Sequence, residues 1–411
     1  MGKGKKIVRN IVIVLLIIGA CVWLSYKYFT DWSKNDLEKE GYSFIEDNNW
    51  YEMDGEKDKE LLVNLSLSEE QLSKRYVVPV TVDHIVFIGS SYKTYLDFVI
   101  IVAPRSTPVT VELHDFSYTA PVGSVAFDAS DVSDDNKVYL VIEGMVKISG
   151  GNGMSGADGE NYNSTAGSHN ARSGENGENG DDGAEAVILN SAYIQINPGA
   201  QFKINGGNGG NGGNGGQGEG SDAPGMPRAG RGGHGGNGGK GAAALIVNGE
   251  LQIDNQGKLQ AHGGNGGSGG NAGNGGLATV KYPTDVYDNG GNGGNGGNGG
   301  NGEVSFVLNS SSDIKIKGRQ ISLTSGNGGN GGAGGNGGKT GSNLASKGAQ
   351  PGNGGVGGNG GNGAIDTTEH EFVTIIGGKG GNGGSGGEAG SGDKKTGSGS
   401  NGSNGENGRS F

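Results

Sequence analysis

The chain has 411 residues, of which 93 are glycine and 31% are hydrophobic, and its formal net charge is −12. Since 85 of those glycines fall in the last 262 residues, the C-terminal two thirds lacks the side chains to fill one large globular enzyme core. Nine prolines are too few for collagen, the acidic balance disfavours nucleic acid as main partner, and the one cysteine, Cys21, excludes a disulfide framework within the chain.

Lys3, Lys5, Lys6 and Arg9 precede an apolar run from Ile11 to Leu24, with Trp23 near its end and Tyr26, Tyr28 and Phe29 after it at the expected depth of an aromatic belt. Residues 11–29 reach the ~20 residues that a bilayer-crossing helix needs. The pattern predicts a cytoplasmic basic tail over 1–10 and a single-pass signal-anchor helix over 11–29, with the bulk of the chain outside. Two other readings stay open: a cleaved signal peptide, and a lipoprotein signal in which Ile18-Gly19-Ala20-Cys21 serves as a lipobox. All three export the rest of the chain.

Residues 30–76 are polar and read as a stalk. Ser68-Glu69-Glu70-Gln71 fits a capping box, predicting a short helix near 68–75. From Val77 the pattern turns to short strands: 82–88, 96–102, 109–116, 124–127 and 138–142, several of them alternating with period two. Such spacing predicts a sandwich, barrel or β-solenoid over 77–150.

The stretch VTVELHDFSYTA followed by GSVAFDASDVSDDNKVYLVIEGMVKISGGNG resembles a coil of the bacterial carbohydrate-binding right-handed parallel β-helix proteins. The likeness covers about residues 82–152. It implies glycan binding, in some members with calcium, for which Asp128, Asp131, Asp134 and Asp135 are the candidate oxygen ligands.

Strand pattern returns after residue 150, with units starting near 185, 243, 303 and 364, about 60 residues apart, as in a stacked repeat protein. Between the units, glycine triplets keep strict phase: Asn208, Asn211 and Asn214 each precede two glycines, as do Arg231, His234 and Asn237, and Asn292, Asn295 and Asn298. A flexible linker needs no phase. Two glycines per triplet fit extended helices of three residues per turn, whose main-chain groups point sideways toward neighbours. The region 151–411 is therefore expected to be a mainly β solenoid bearing polyglycine-II hairpins, about ten arms in a slab. The first insertion, near 150–182, keeps glycine only at every third position. This region resembles the polyglycine-II domains of phage tail-fibre adhesins and mycobacterial glycine-rich surface proteins.

Catalytic signatures are scarce. The six histidines are scattered, no pair has zinc-ligand spacing, and no Gly-Lys-Ser/Thr closes a phosphate loop. No enzyme is expected, and no cofactor beyond the calcium question. The triplet breaks at five hairpin tips: 160–170, 219–229, 277–288, 340–351 and 390–400. Loops on a rigid scaffold commonly carry binding, so Tyr162, Arg228, Lys281, Tyr282, Asp285, Tyr287 and Asp288 are the candidate ligand-binding residues. The expected function is adhesion or glycan recognition by a membrane-anchored surface protein, at the tips or along the β-coil. A structural spacer or assembly subunit, self-associating through glycine faces or the membrane helix, is the alternative. Ice binding and polysaccharide lysis are lesser ones.

Overall fold

The computed structural model describes residues 42–45, 50–53, 60–64 and 74–407, apart from 79, 81, 91, 134–135, 163–164, 167–170, 222–228, 279–288, 310–313, 341–352, 360–361, 363–372 and 392–396. The proposed membrane helix at 11–29, with Cys21, lies outside the described residues. Among the described residues there is no helix long and apolar enough to cross a membrane.

Three parallel sheets wrap one core as a β-solenoid. The first stacks Lys74–Val78, Phe98–Val102, Phe127–Ala129, Val187–Leu189, Leu245–Val247 and Phe306–Leu308. The second stacks Glu60–Asn64, His84–Ile88, Val109–His114, Val138–Glu143, Ala192–Ile196, Leu251–Asn255 and Ile314–Gly318. The third stacks Thr94–Leu96, Ser117–Thr119, Met145–Ser149, Gln201–Asn205, Lys258–His262, Ile321–Thr324 and Val373–Ile376. Each coil takes one strand from each sheet in turn. The repeat predicted at about 60 residues is one coil plus one glycine hairpin.

The solenoid starts earlier than the sequence pattern predicts. Glu60–Asn64 already pairs in the second sheet, and Tyr42–Ile45 forms an antiparallel hairpin with Trp50–Met53, both inside the expected stalk. The predicted helix at 68–75 is corrected at its end: Lys74 and Arg75 open a strand. Tyr76 and Val78 from that strand pack on the core, and this burial outweighs a capping box. Residues 65–73 are outside the described set.

Two predicted strands are each interrupted at a corner. Asp97 (φ 54°) falls inside the predicted 96–102 and separates Thr94–Leu96 from Phe98–Val102, and Asp115 (φ 46°) falls inside the predicted 109–116, after Val109–His114. A short acidic side chain tolerates this left-handed conformation better than most. Asp115 also accepts a hydrogen bond at Oδ1 from the Met145 N–H (3.0 Å), securing the corner above it.

The lower coils are filled by aromatic rings. Phe116 is fully buried, with Phe87, Tyr95, Phe98 and Tyr118 centred 5.0–6.0 Å away. Tyr118 is also fully buried, and its hydroxyl has no hydrogen-bond partner among the described residues. Burial raises its pKa well above the ordinary value. Tyr118→Phe removes an unsatisfied polar atom while keeping the ring, so it is expected to stabilise the fold by about 1 kcal/mol, read as an increase in the urea midpoint.

Candidate functional site

The third sheet leads out into glycine arms, and the arms lead back into the first sheet. Outgoing arms run over 150–162, 206–218, 263–277, 326–340 and 377–391; return arms run over 172–184, 229–242, 289–303, 353–359 and 397–407. Within a hairpin the arms are antiparallel, as in Gly233 N–H to Gly216 O, Gly236 to Gly213 and Gly239 to Gly210, each 2.8 Å. Outgoing arms of successive coils lie parallel, and so do return arms. The result is a slab two arms thick.

Each triplet addresses three neighbours. Gly212 N–H donates to Ser268 O on the next outgoing arm (2.9 Å), and Gly213 N–H donates to Glu178 O on a return arm (2.8 Å). Asn214 N–H donates to Asp158 Oδ1 on the outgoing arm below (2.6 Å). Three residues later Gly215, Gly216 and Gln217 repeat the set with Asn271, Glu175 and Asn161. Three donors aimed in three directions thus repeat at every third residue.

The lattice explains both the glycine and the asparagine. A Cβ on Gly212 would sit 2.0 Å from Gly236 O, and one on Gly213 1.9 Å from Ala157 O. The third position faces solvent, and its side chain accepts the main-chain N–H of the equivalent residue one coil on. Asn265 N–H reaches Asn208 Oδ1, Asn327 reaches Asn265, and Lys379 reaches Asn327, at 2.8–2.9 Å. The other face does the same from Asn237 to Asn298 to Asn359. Asparagine is present because a short side-chain carbonyl fits this gap.

Among the described residues, the first and last hairpins of the slab depart from the pattern between them. In the first hairpin, glycine persists only where a Cβ would strike the neighbouring arm: Gly177 would meet Gly213 O at 2.0 Å. The adjacent positions carry Met154, Ala157, Glu160, Glu175, Glu178 and Asp181, all exposed, because among the described residues no arm lies beneath them. On the last described hairpin Asn407, Asn404 and Asn401 receive, at Oδ1, the N–H groups of Gly380, Gly383 and Gly386 (2.7–2.8 Å), whose counterparts on earlier arms donate to main-chain carbonyls of the next outgoing arm.

The candidate tip residues divide sharply. Arg228, Lys281, Tyr282, Asp285, Tyr287 and Asp288 lie outside the described residues. Tyr162 sits at the base of the first tip, where its hydroxyl donates to Glu175 Oε1 (3.3 Å) and its ring lies 5.5 Å from the Arg172 guanidinium carbon. The Glu175 charge raises the pKa of this phenol. Outgoing-arm ends align through a parallel ladder from Thr165–Ala166 to Gly220–Ser221, continued by Ala278 and Thr340.

Of the calcium candidates, Asp128 closes a local turn, accepting at Oδ1 from Ser130 N–H (3.0 Å) and Oγ–H (2.7 Å). Asp131 is exposed; Asp134 and Asp135 lie outside the described residues. Among the described residues no group of three or more His, Cys, Asp or Glu side chains is arranged to hold a metal ion.

The outer face of the second sheet was not singled out by sequence reading. It lies away from the corner between the third and first sheets where the arms leave. In register across it run His84, Thr110, Tyr139, Tyr193, Gln252 and Lys315. Tyr139 is 38% exposed and its ring lies 5.8 Å from that of Tyr193. Burial, then the charge of Asp254 and a hydrogen bond to it, raises the pKa of Tyr193. Glu112 holds one carboxylate oxygen 3.0 Å from His84 Nε2 and the other 3.0 Å from His114 Nε2. Farther along, hydrogen bonds from Lys137, Gln252 and Lys315 bring the Glu250 carboxyl down to about 2. The signal available in sequence was the outward set of the alternating strands.

No family model matches the chain, and no curated protein does. Among solved structures it is similar to a nine polyproline type II helical bundle springtail antifreeze protein from Granisotoma rainieri, at 21% identity over 62% of this chain and 94% of that one. The TM-score is 0.10, so this likeness carries no argument about fold or function.

Proposed function

We propose that the arms are polyglycine-II helices and that the chain is a non-catalytic, exported surface protein, held at the membrane by its N-terminal segment, that recognises glycan. The observation that carries this reading is the cross-linked slab. Donors in three directions tie each arm to its neighbours, so the slab and solenoid form a stiff display frame with tip loops at one end and an open β-face at the other. Loops and faces on such a frame lose little entropy on binding. The basic, apolar and aromatic order of residues 3–29 supports the membrane address, and the resemblance of 82–152 to glycan-binding β-helices supports the ligand class.

The full chain is expected to bind cells and at least one oligosaccharide on a glycan array. Variants lacking 162–170, 222–228, 279–288, 341–350 or 392–396 separate the sites: a tenfold or greater loss in any of them assigns binding to the tips, and unchanged binding in all five assigns it to the β-coil. Binding to neither cells nor any oligosaccharide overturns the reading. Ice binding predicts a different result, thermal hysteresis, which is not expected because the asparagine carbonyls already accept main-chain N–H groups.

A further inference from the structure

The geometry points to a single-sugar slot on the outer face of the second sheet, between Tyr139 and His84 and floored by Thr110, built for a neutral pyranoside. This inference rests on the glycan-recognition reading and names its site and ligand class. His84, Thr110 and Tyr139 are in register on three consecutive parallel strands. With strands ~4.8 Å apart, the outer two residues stand roughly 9.5 Å apart, and outward side chains of a strand rise nearly perpendicular to the sheet. Thr110, the smallest of the three, leaves a recess between an aromatic wall and an imidazole wall.

The two walls differ chemically. One face of the Tyr139 ring is turned toward Tyr193, leaving the side over Thr110 for a ligand. A pyranose stacks its C–H face on such a ring at ~4 Å. That leaves the far wall within reach of its hydroxyls. There Glu112 is held between His84 and His114, 3.0 Å from each, so an acceptor is fixed in place with imidazole groups on both sides. Thr110, in register between the two walls, offers a hydroxyl that can donate and accept. Glu143 stands in register beside His114, and with Glu112 makes this end of the face a poor host for an anionic sugar. Fixed planar acceptors beside an exposed tyrosine face suit an uncharged ring with equatorial hydroxyls.

The test uses the full chain and an array of neutral and acidic oligosaccharides, followed by titration of the best neutral binder. Thr110→Trp fills the recess without touching the core and is expected to lower affinity at least tenfold, as is Tyr139→Ala. Tyr139→Phe keeps the stacking face, and Tyr193→Phe removes only a hydroxyl already committed to Asp254. Both are expected to stay within twofold of the parent. Thermal melts of all four should overlay the parent, which keeps loss of folding from imitating loss of binding. If the chain binds sugars but Thr110→Trp or Tyr139→Ala leaves affinity unchanged, the slot is overturned while glycan recognition stands. A preference for acidic sugars also overturns it. If the full chain binds no oligosaccharide, both fall together.

Discussion

Gly213→Ala is expected to break the slab around it, costing about 2–4 kcal/mol. The new methyl would lie 1.9 Å from Ala157 O and 2.5 Å from Ala157 C, far inside contact distance and against main chain that cannot rotate away. The arm must move, which strains its surroundings by about 1–3 kcal/mol and loosens the Gly213 bond to Glu178, worth about 1 kcal/mol. Hydrogen exchange reads this directly: amides over 206–218 and 172–184 should lose protection while solenoid strands keep theirs. The lattice supplies its own control. Ala157 occupies the equivalent position on the end arm, with open space below it, so Ala157→Gly should leave protection nearly unchanged. Equal protection in the parent and Gly213→Ala would refute the cross-linked slab.

Phe116→Ala should destabilise the solenoid by about 3–5 kcal/mol, the usual range for deleting a buried aromatic ring. Phe116 is fully buried and touches rings from two successive coils: Phe87 and Tyr95 from the preceding one, and Phe98 and, in the next strand, Tyr118 from its own. Collapse of the void is obstructed because these rings also pack on one another. Urea unfolding followed by near-ultraviolet circular dichroism measures the loss. Phe116→Leu should recover part of it. In a stacked repeat each coil leans on its neighbours, so the strands at 84–88 and 138–143 should exchange faster too. A shift below 1 kcal/mol would mean the aromatic cluster is not the structural centre of the lower coils.

The strand pattern was readable from alternation because outward and inward residues differ so sharply in these coils. Val109, Val111 and Leu113 face in, while Thr110, Glu112 and His114 face out. The corners were not readable. Asp97 and Asp115 sit inside apolar alternation and look like strand residues, yet both turn the chain. Nothing local distinguishes a strand that continues from one that bends at an aspartate. The early start of the solenoid was missed for a related reason: Glu60–Asn64 is polar-flanked and short, and becomes a strand by pairing with His84–Ile88.

The candidate site shows the same division. Tip residues stood out because they break a strict triplet, whereas Thr110, Tyr139 and His84 are spread over 56 residues of chain and meet only through coil stacking. Asparagine rows were legible as outward-facing, but their role was not, since the N–H that each one serves lies 15–62 residues away.

By itself the amino-acid sequence determined the repeat length, the three-residue phase and the pairing of each strand unit with a glycine insertion, because these are periodicities and every side chain takes part in them. Tertiary structure alone decided which glycines are obligatory. Gly177 is required and Glu178 beside it is tolerated, since one faces an arm and the other faces open space. The reason is that an isolated arm has no internal bonds to hold it and loses about 1–2 kcal/mol per residue in backbone freedom; only neighbours contributed by other coils can define where a side chain fits.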